Sequence, residues 1–361
     1  MEKDYKILNF TTGPVKLSDE VRTTFGRLPV SHRLPEFMKI FHQLQKKVSK
    51  STGAKHVSFF TGSGTLANEV MIAQIKSLGE KGIVLSNGEF GNKIINQCNR
   101  QKLDFITYKK EWGNEFDLNE IENLVKKNDD LKWLLFVHSE SSTGCINNLE
   151  RIIELAKKYK LKICVDVISS FCNRHLNLND IFLASASSGK GVASFAGVAI
   201  VFSNHIPEPN NSIPTYLDLG YYFKKEGIPF TISSNLIFAL NTAIDQTLNE
   251  SHFEQIKILS KYLSDELKGI ENLEILNLNY HLPSHIFTLK PNHQICSVDL
   301  GEALFRKNIE TSFNSQYLVE RNHLQIAVMG EHIFEEINYL IKNVREEIEI
   351  LKKETLRSGS Y

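Results

Sequence analysis

Between residues 54 and 203, short β-rich runs alternate with stretches of helical periodicity, and most of the runs are apolar from end to end. "HVSFF" (56–60) leads into "TGSGTLANEVMIAQIKSL", "GIVLS" (82–86) into "NGEFGNKIINQCNRQ" and "LDFITY" (103–108) into "FDLNEIENLVKK". "KWLLFVH" (132–138) leads into "NLERIIELAKKY", and "LKICVDV" (161–167), "IFLASA" (181–186) and "GVAIVFS" (197–203) complete the series. Strands apolar on both sides must be covered on both sides. The alternation therefore predicts an α/β fold with a mainly parallel central sheet and helices on both faces. In such sheets, ligands gather beyond the carboxyl ends of the strands.

After about residue 255 the pattern changes. Long amphipathic stretches ("HFEQIKILSKYLSDEL", "EHIFEEINYLIKNVREEIEILKKE") bracket short strand-like runs ("LEILNL", "SHIFTLK"), which predicts a smaller C-terminal α+β domain. The expected division is a large domain over 1–255, including an N-terminal segment 1–35, and a small domain over 256–361. With 42 basic and 42 acidic side chains, no nucleic-acid or anionic-membrane partner is expected. Cys98, Cys145, Cys164, Cys172 and Cys296 include no CxxC pair, which fits a reducing compartment. "MEKDYKILNF" does not read as a secretion signal, and no apolar run reaches membrane-spanning length, so the expected location is cytoplasmic. His281, His285 and His293 are spaced without a metal-site helix and read as ordinary loop and strand histidines.

Lys190 is the one charged residue in "ASASSGKGVASFAGVAIVFS" (184–203). An ammonium in apolar surroundings is costly unless paired or neutralised, so this lysine is either a snorkelling side chain or a tuned amine. Three further features fall at predicted strand ends. "TGSGT" (61–65) opens a helix and suits either a phosphate or a plain helix entry. "HSESSTG" (138–144) is a polar loop that lines a site or simply turns the chain. Asp166 ends "LKICV" either as a cap or as an anion placed for a cofactor's ring nitrogen. A phosphate cradle, an anion and an isolated lysine together specify pyridoxal 5'-phosphate, which needs a Schiff-base lysine, an acidic partner and a phosphate site.

With these motifs the chain resembles the class V aminotransferases, fold-type-I pyridoxal-phosphate enzymes. The resemblance is nearest to the 2-aminoethylphosphonate–pyruvate aminotransferases, then to the alanine–glyoxylate and serine–pyruvate ones. Its carriers are "TTGPV" (11–15), "TGSGT", "SNGEFG" (86–91), "VHSESSTG" (137–144), "VDVISSF" (165–171), "SSGKG" (187–191), "YLDL" (216–219) and "PFTISS" (229–234). It implies that Lys190 attaches the cofactor and moves the proton between its C4′ and the substrate Cα, and that Asp166 pairs with the pyridinium nitrogen. Ser63, Gly64 and Thr65 would hold the phosphate with Ser188 beside it, Phe90 would stack on the ring, and Thr143 would bond near the phenolic oxygen. Thr231 matches a residue that reaches the phosphate of the neighbouring subunit, implying a homodimer with shared active sites. Thr12 is a further candidate on the substrate side. His32 and Arg33 of "VSHRLPEF" (30–37) are either substrate-facing or part of a turn before a helix with Pro35 at its first position.

Two departures stand out. Gln325 of "HLQIAVMG" occupies the place where relatives fork an arginine onto the substrate's acid; either Arg33 or Arg321 substitutes, or the substrate lacks the usual acid at that position. Gly189 stands where relatives carry Asn or Gln. The expected activity is aminotransfer from a small amine or amino acid, 2-aminoethylphosphonate-like or alanine/serine-like, to a 2-oxo acid such as pyruvate. The alternative is a lyase, decarboxylase or substitution enzyme on the same scaffold, consistent with the lost arginine.

Overall fold

The computed structural model describes residues 7–276, 278 and 280–358. The chain opens with β1 (Leu8–Asn9), α1 (Asp19–Phe25) and α2 (Pro35–Thr52). Then follow β2 (His56–Thr61), α3 (Gly64–Ser77), β3 (Lys81–Ser86), α4 (Glu89–Arg100), β4 (Phe105–Lys109), α5 (Leu118–Lys127) and β5 (Leu131–Val137). A two-stranded turn, β6 (Ser139–Glu140) and β7 (Cys145–Ile146), precedes α6 (Leu149–Lys158), β8 (Lys162–Asp166), β9 (Leu183–Ser187) and β10 (Val198–Ser203). Next come α7 (Leu219–Lys224), α8 (Ser234–Thr247), α9 (Glu250–Leu267), β11 (Leu273–Ile275), β12 (Ile286–Pro291) and α10 (Ser297–Arg306). The chain ends through β13 (Ile309–Glu310), α11 (Gln316–Val319), β14 (Leu324–Ala327) and α12 (Phe334–Ser358).

The central sheet runs in the order β2-β10-β9-β8-β5-β3-β4. β10 is antiparallel to both of its neighbours, and every other pairing is parallel. The continuous apolar runs 133–137 of β5 and 198–202 of β10 follow from burial on both sides: both strands feed two clusters, one on each face of the sheet. Helix starts are marked by side-chain caps. Asp117, Asn148 and Asn249 accept backbone N–H bonds at the heads of α5, α6 and α9. The result brings the carboxyl ends of β2, β3, β5, β8 and β9 to one edge.

A separate core forms the second lobe, around β11-β12-β14 and helices α9, α10 and α12. Its apolar set begins at Ile256 on α9, so the expected division at 255/256 falls inside one continuous helix. The helix does not break there because its amphipathic pattern does not; only the core it faces changes. The N-terminal segment also departs from expectation. β1 pairs in parallel with β13, and Phe10 is fully buried in the second core, stacked on His332 at 4.5 Å. That segment therefore packs on the small lobe before the chain enters the large one.

Candidate active site

A cavity of about 560 Å³ opens at the carboxyl edge of the central sheet, lined by Ser63, Gly64, Thr65, Phe90, Asp166 and Lys190 among others. They arrive from four strand ends: Ser63, Gly64 and Thr65 after β2, Phe90 after β3, Asp166 at the end of β8 and Lys190 after β9. Ser63 is the N-cap of α3 but makes no side-chain bond onto the helix, which leaves the helix head to an anion. Ser63 and Thr65 are both exposed in the isolated chain. Neighbouring side chains press on two glycines. A Cβ on Gly64 would lie 2.7 Å from Ile168 Cδ1, and one on Gly13, whose φ is +130°, would lie 3.0 Å from Lys190 Cδ.

Asp166 is 4% exposed at the end of β8. Its Oδ2 accepts from Asn68 Nδ2 at 2.8 Å and its Oδ1 from the Ile168 N–H at 2.8 Å. Asn68 is held in turn by Ser185, whose hydroxyl donates to Asn68 Oδ1 at 2.5 Å. Burial pushes Asp166 up to about 6 against these bonds. Lys190 lies in the loop after β9, and burial pulls its amine down to about 8; the nearby charge of Lys93 acts in the same direction, and Asp166 and Glu140 oppose it. Its Nζ stands 5.7 Å from the Phe90 ring centre. The site thus offers an amine that burial lowers to about 8, a carboxylate beside it, an aromatic face and an open helix head.

Residues that sequence reasoning missed supply the rest. Ser139 is 2% exposed and lines the cavity, and its hydroxyl has no partner among the described residues. An orphaned hydroxyl there fits a bound polar ring. Glu140 is fully buried and caps α4: Oε2 accepts from the Gly91 N–H at 2.9 Å and Oε1 from the Phe90 N–H at 3.3 Å. Ser142, bonded to Glu140, accepts from the Glu89 N–H at 3.0 Å. The polar loop thereby sets the position of Phe90. Asn68 could have been noticed three residues beyond Thr65 on the same helix face; Ser139 and Glu140 lie within the quoted loop, but nothing in their spacing distinguished them.

Several expected residues are not brought to the cavity. The Ser188 hydroxyl donates to the Phe195 carbonyl at 2.6 Å and accepts from the Val198 N–H at 3.1 Å; its neighbour Ser187 lines the cavity instead. Thr143 is fully buried within its own turn, donating to the Glu140 carbonyl at 3.2 Å. Thr12 is tied to the small lobe, its N–H donating to Ser312 Oγ at 3.0 Å. His32 and Arg33 belong to the turn before α2, which has Pro35 at its first position, and they do not line the cavity. Thr231 is exposed and lines a separate small pocket with Tyr216 and Phe230.

Gln325, expected to face substrate, is fully buried and already satisfied. Its Nε2 donates to the Ser141 carbonyl at 2.5 Å and to Thr288 Oγ1 at 2.9 Å, while its Oε1 accepts from the Tyr317 hydroxyl at 3.2 Å. It joins β14 of the small lobe to the polar loop of the large one. Arg321 does not replace the missing arginine, because its guanidinium stacks on Trp112 at 3.9 Å outside the cavity. The cations that do line it, besides Lys190, are Lys93 and Arg100 on one face of α4.

Comparison with known proteins agrees with this geometry. The model of the family "Aminotransferase class-V" matches residues 17–313. An uncharacterized aminotransferase of Methanocaldococcus jannaschii is 28% identical over 340 residues, covering 91% of this chain and 85% of that protein. A bifunctional phosphonoacetaldehyde hydrolase/aminoethylphosphonate transaminase of Clostridioides difficile is 28% identical over 210 residues, 56% of this chain and 32% of that longer protein. Among solved structures, an alanine–glyoxylate aminotransferase from Nostoc sp. superposes with a TM-score of 0.83 over 95% of this chain and 96% of that one; at 24% identity the likeness is one of fold.

Proposed function

Since this chain belongs to the class-V aminotransferase family and is a pyridoxal-phosphate-dependent aminotransferase, we propose that it carries the amino group of a small amine or amino acid to a 2-oxo acid such as pyruvate. The donor is 2-aminoethylphosphonate-like or alanine/serine-like. The observation that carries this reading is the meeting of Lys190 and Asp166 in one cavity at the head of α3.

Pyridoxal phosphate, when bound, supplies an electron sink conjugated to the substrate's amino-bearing carbon. The chain's own groups do the rest. Ser63, Gly64 and Thr65 would hold the phosphate with the N–H groups at the head of α3. Asp166 would hold a proton on the ring nitrogen, and Asn68 and the Ile168 N–H keep Asp166 oriented. Phe90 would offer its aromatic face to the ring, and Ser139, which also lines the cavity, would be a further polar residue beside it. Lys190, whose amine burial pulls down to about 8, is the residue that would hold the cofactor's aldehyde carbon and, as a neutral amine, would serve as the base at the substrate's Cα. Exposure of Ser63, Thr65 and Thr231 in the single chain supports a homodimer whose partner closes the phosphate pocket. The full internal satisfaction of Gln325 favours a donor whose acid is held elsewhere, with Arg100 and Lys93, the latter 3.5 Å from Glu89 Oε1, as the other cations lining the cavity. The name of the Clostridioides difficile relative supports a small phosphonate-bearing amine among the donors.

Absorption spectroscopy of the purified holoenzyme tests the reading. Titrating it with 2-aminoethylphosphonate, alanine, serine and phosphoserine converts the visible band of the bound aldehyde to the near-ultraviolet band of the amine form with at least one donor. Pyruvate then restores the visible band, and Lys190→Ala abolishes the cycle. Failure of every donor to bleach the band counts against small-donor aminotransfer and favours the lyase or substitution alternative.

A further inference from the structure

Segment 8–16 forms a short strap whose two ends are fixed on the small lobe. At one end Leu8 and Asn9 pair with β13, the Phe10 N–H donates to the Glu310 carbonyl at 2.8 Å, and the Phe10 carbonyl accepts from the Ala327 N–H at 2.8 Å. At the other end Lys16 bridges to Gly330, and its Nζ meets Glu336 Oε1 on α12 at 2.8 Å. Between these anchors the chain turns back on itself. Asn9 Nδ2 and Thr11 Oγ1 both donate to the Pro14 carbonyl, at 3.0 and 2.7 Å, and the Thr12 N–H donates to Ser312 Oγ at 3.0 Å.

The tip of this turn rests on the loop after β9, which carries Lys190. At Gly13, whose φ is +130°, a Cβ would lie 3.0 Å from Lys190 Cδ, 3.2 Å from Lys190 Cε and 3.2 Å from the Gly189 carbonyl oxygen. The lysine would have to yield, because the carbonyl beside it is backbone and has little room to move. Two residues on, Val15 is buried in a small apolar cluster with Ala193 of the same loop and with Ile286, Ala327 and Met329 of the small lobe. Among the described residues, no hydrogen bond joins the strap to residues 189–193. The strap therefore meets the lysine by packing alone, restricting its stem without engaging its amine. Gly13, Pro14 and Lys190 all line the active-site cavity.

We propose that Gly13 is a positioning residue for the reaction: with no side chain of its own, it lets the strap of the small lobe bear on the stem of Lys190 and fix where the amine stands. A lysine stem is long and flexible, with many rotamers of similar energy. A wall on one side removes some of them before the reaction begins, and the wall is present only while the small lobe is docked. The inference rests on Lys190 being the residue that receives the cofactor.

Hydroxylamine treatment of the holoenzyme tests it without any amino donor. The reagent's nitrogen takes the cofactor's aldehyde carbon and releases the Lys190 amine, so the loss of the visible band reports how firmly the lysine is held. In Gly13→Ala the rate is expected to rise about two- to tenfold, the scale of a stem pushed off its rotamer. The visible circular dichroism of the band, taken relative to its absorbance, is expected to change with it. Ser312→Ala removes the acceptor of the Thr12 N–H without touching the lysine. It should move both readouts in the same direction by less, and it serves if Gly13→Ala does not fold. A glycine with a merely structural role would lower Tm on substitution and leave both readouts where they were. Unchanged rate and dichroism in Gly13→Ala, or in Ser312→Ala where only that variant folds, overturns the strap's role and leaves the aminotransfer reading standing. A visible band that survives in full in Lys190→Ala takes the cofactor off this lysine and overturns both.

Discussion

At Lys190 and Asp166, burial moves an amine and a carboxyl toward each other on the pH scale, to about 8 and about 6. Above about 8 the amine is mostly neutral and nucleophilic; below about 6 the carboxyl is mostly protonated and loses its attraction for a pyridinium. Attachment of pyridoxal phosphate to the cofactor-free chain is therefore expected to be slow below about pH 6, to climb through about 8 and then to level off. Stopped-flow absorbance reads the profile, and an ordinary lysine would keep it rising beyond pH 10. Asn68→Ala removes one of two donors to Asp166, and cofactor affinity in equilibrium dialysis is expected to fall about tenfold, the scale of one hydrogen bond to a charged group. Lys190, Asp166 and the "SGT" triplet were legible because chemistry restricts residue type at strand ends and helix heads. Ser188 was not, because choosing between adjacent serines requires the phase at which β9 ends. Ser139 and Glu140 gain their roles only through contacts across the fold, whereas Asn68 had a signal in its spacing from Thr65.

Among the elements, α4 depends on a buried carboxylate from a different part of the chain. Glu140 accepts N–H bonds at the head of α4 and so holds Phe90 over the cavity. Glu140→Ala should cost about 2 kcal/mol by urea unfolding, the scale of stranding buried donors, and should also speed cofactor release. Cofactor release unchanged in that variant would separate the cap from the aromatic face. The strands of the central sheet were legible to within a residue or two, since continuous apolar runs leave few other arrangements. β14 was less so: "LQIAVMG" suggested a substrate contact, but Gln325 turns out to bind Ser141, Thr288 and Tyr317. Gln325→Arg therefore should not lower KM for acidic donors. It should destabilise the fold by on the order of 3 kcal/mol through an unpaired buried charge.

Across the whole molecule, the N-terminal segment and Gln325 both tie the lobes together. The segment leaves Phe10 in the small core and reaches Gly13 against Lys190 three residues later. Phe10→Ala is expected to cost about 3–5 kcal/mol and to loosen the small lobe first, as local hydrogen exchange around β13 would register. This long-range packing was not legible, since pairing of residues 300 positions apart leaves no local periodicity. The division into lobes was readable as a change of pattern, but not the helix that bridges them. The central claim is that one amine in this chain, Lys190, receives the cofactor. Borohydride trapping of pyridoxal phosphate on the purified protein, followed by peptide mass mapping, tests it most directly. The account predicts one label per chain on the peptide containing Lys190, lost in Lys190→Ala and weakened in Asp166→Asn. Label spread over surface lysines, or retained in full by Lys190→Ala, would contradict it.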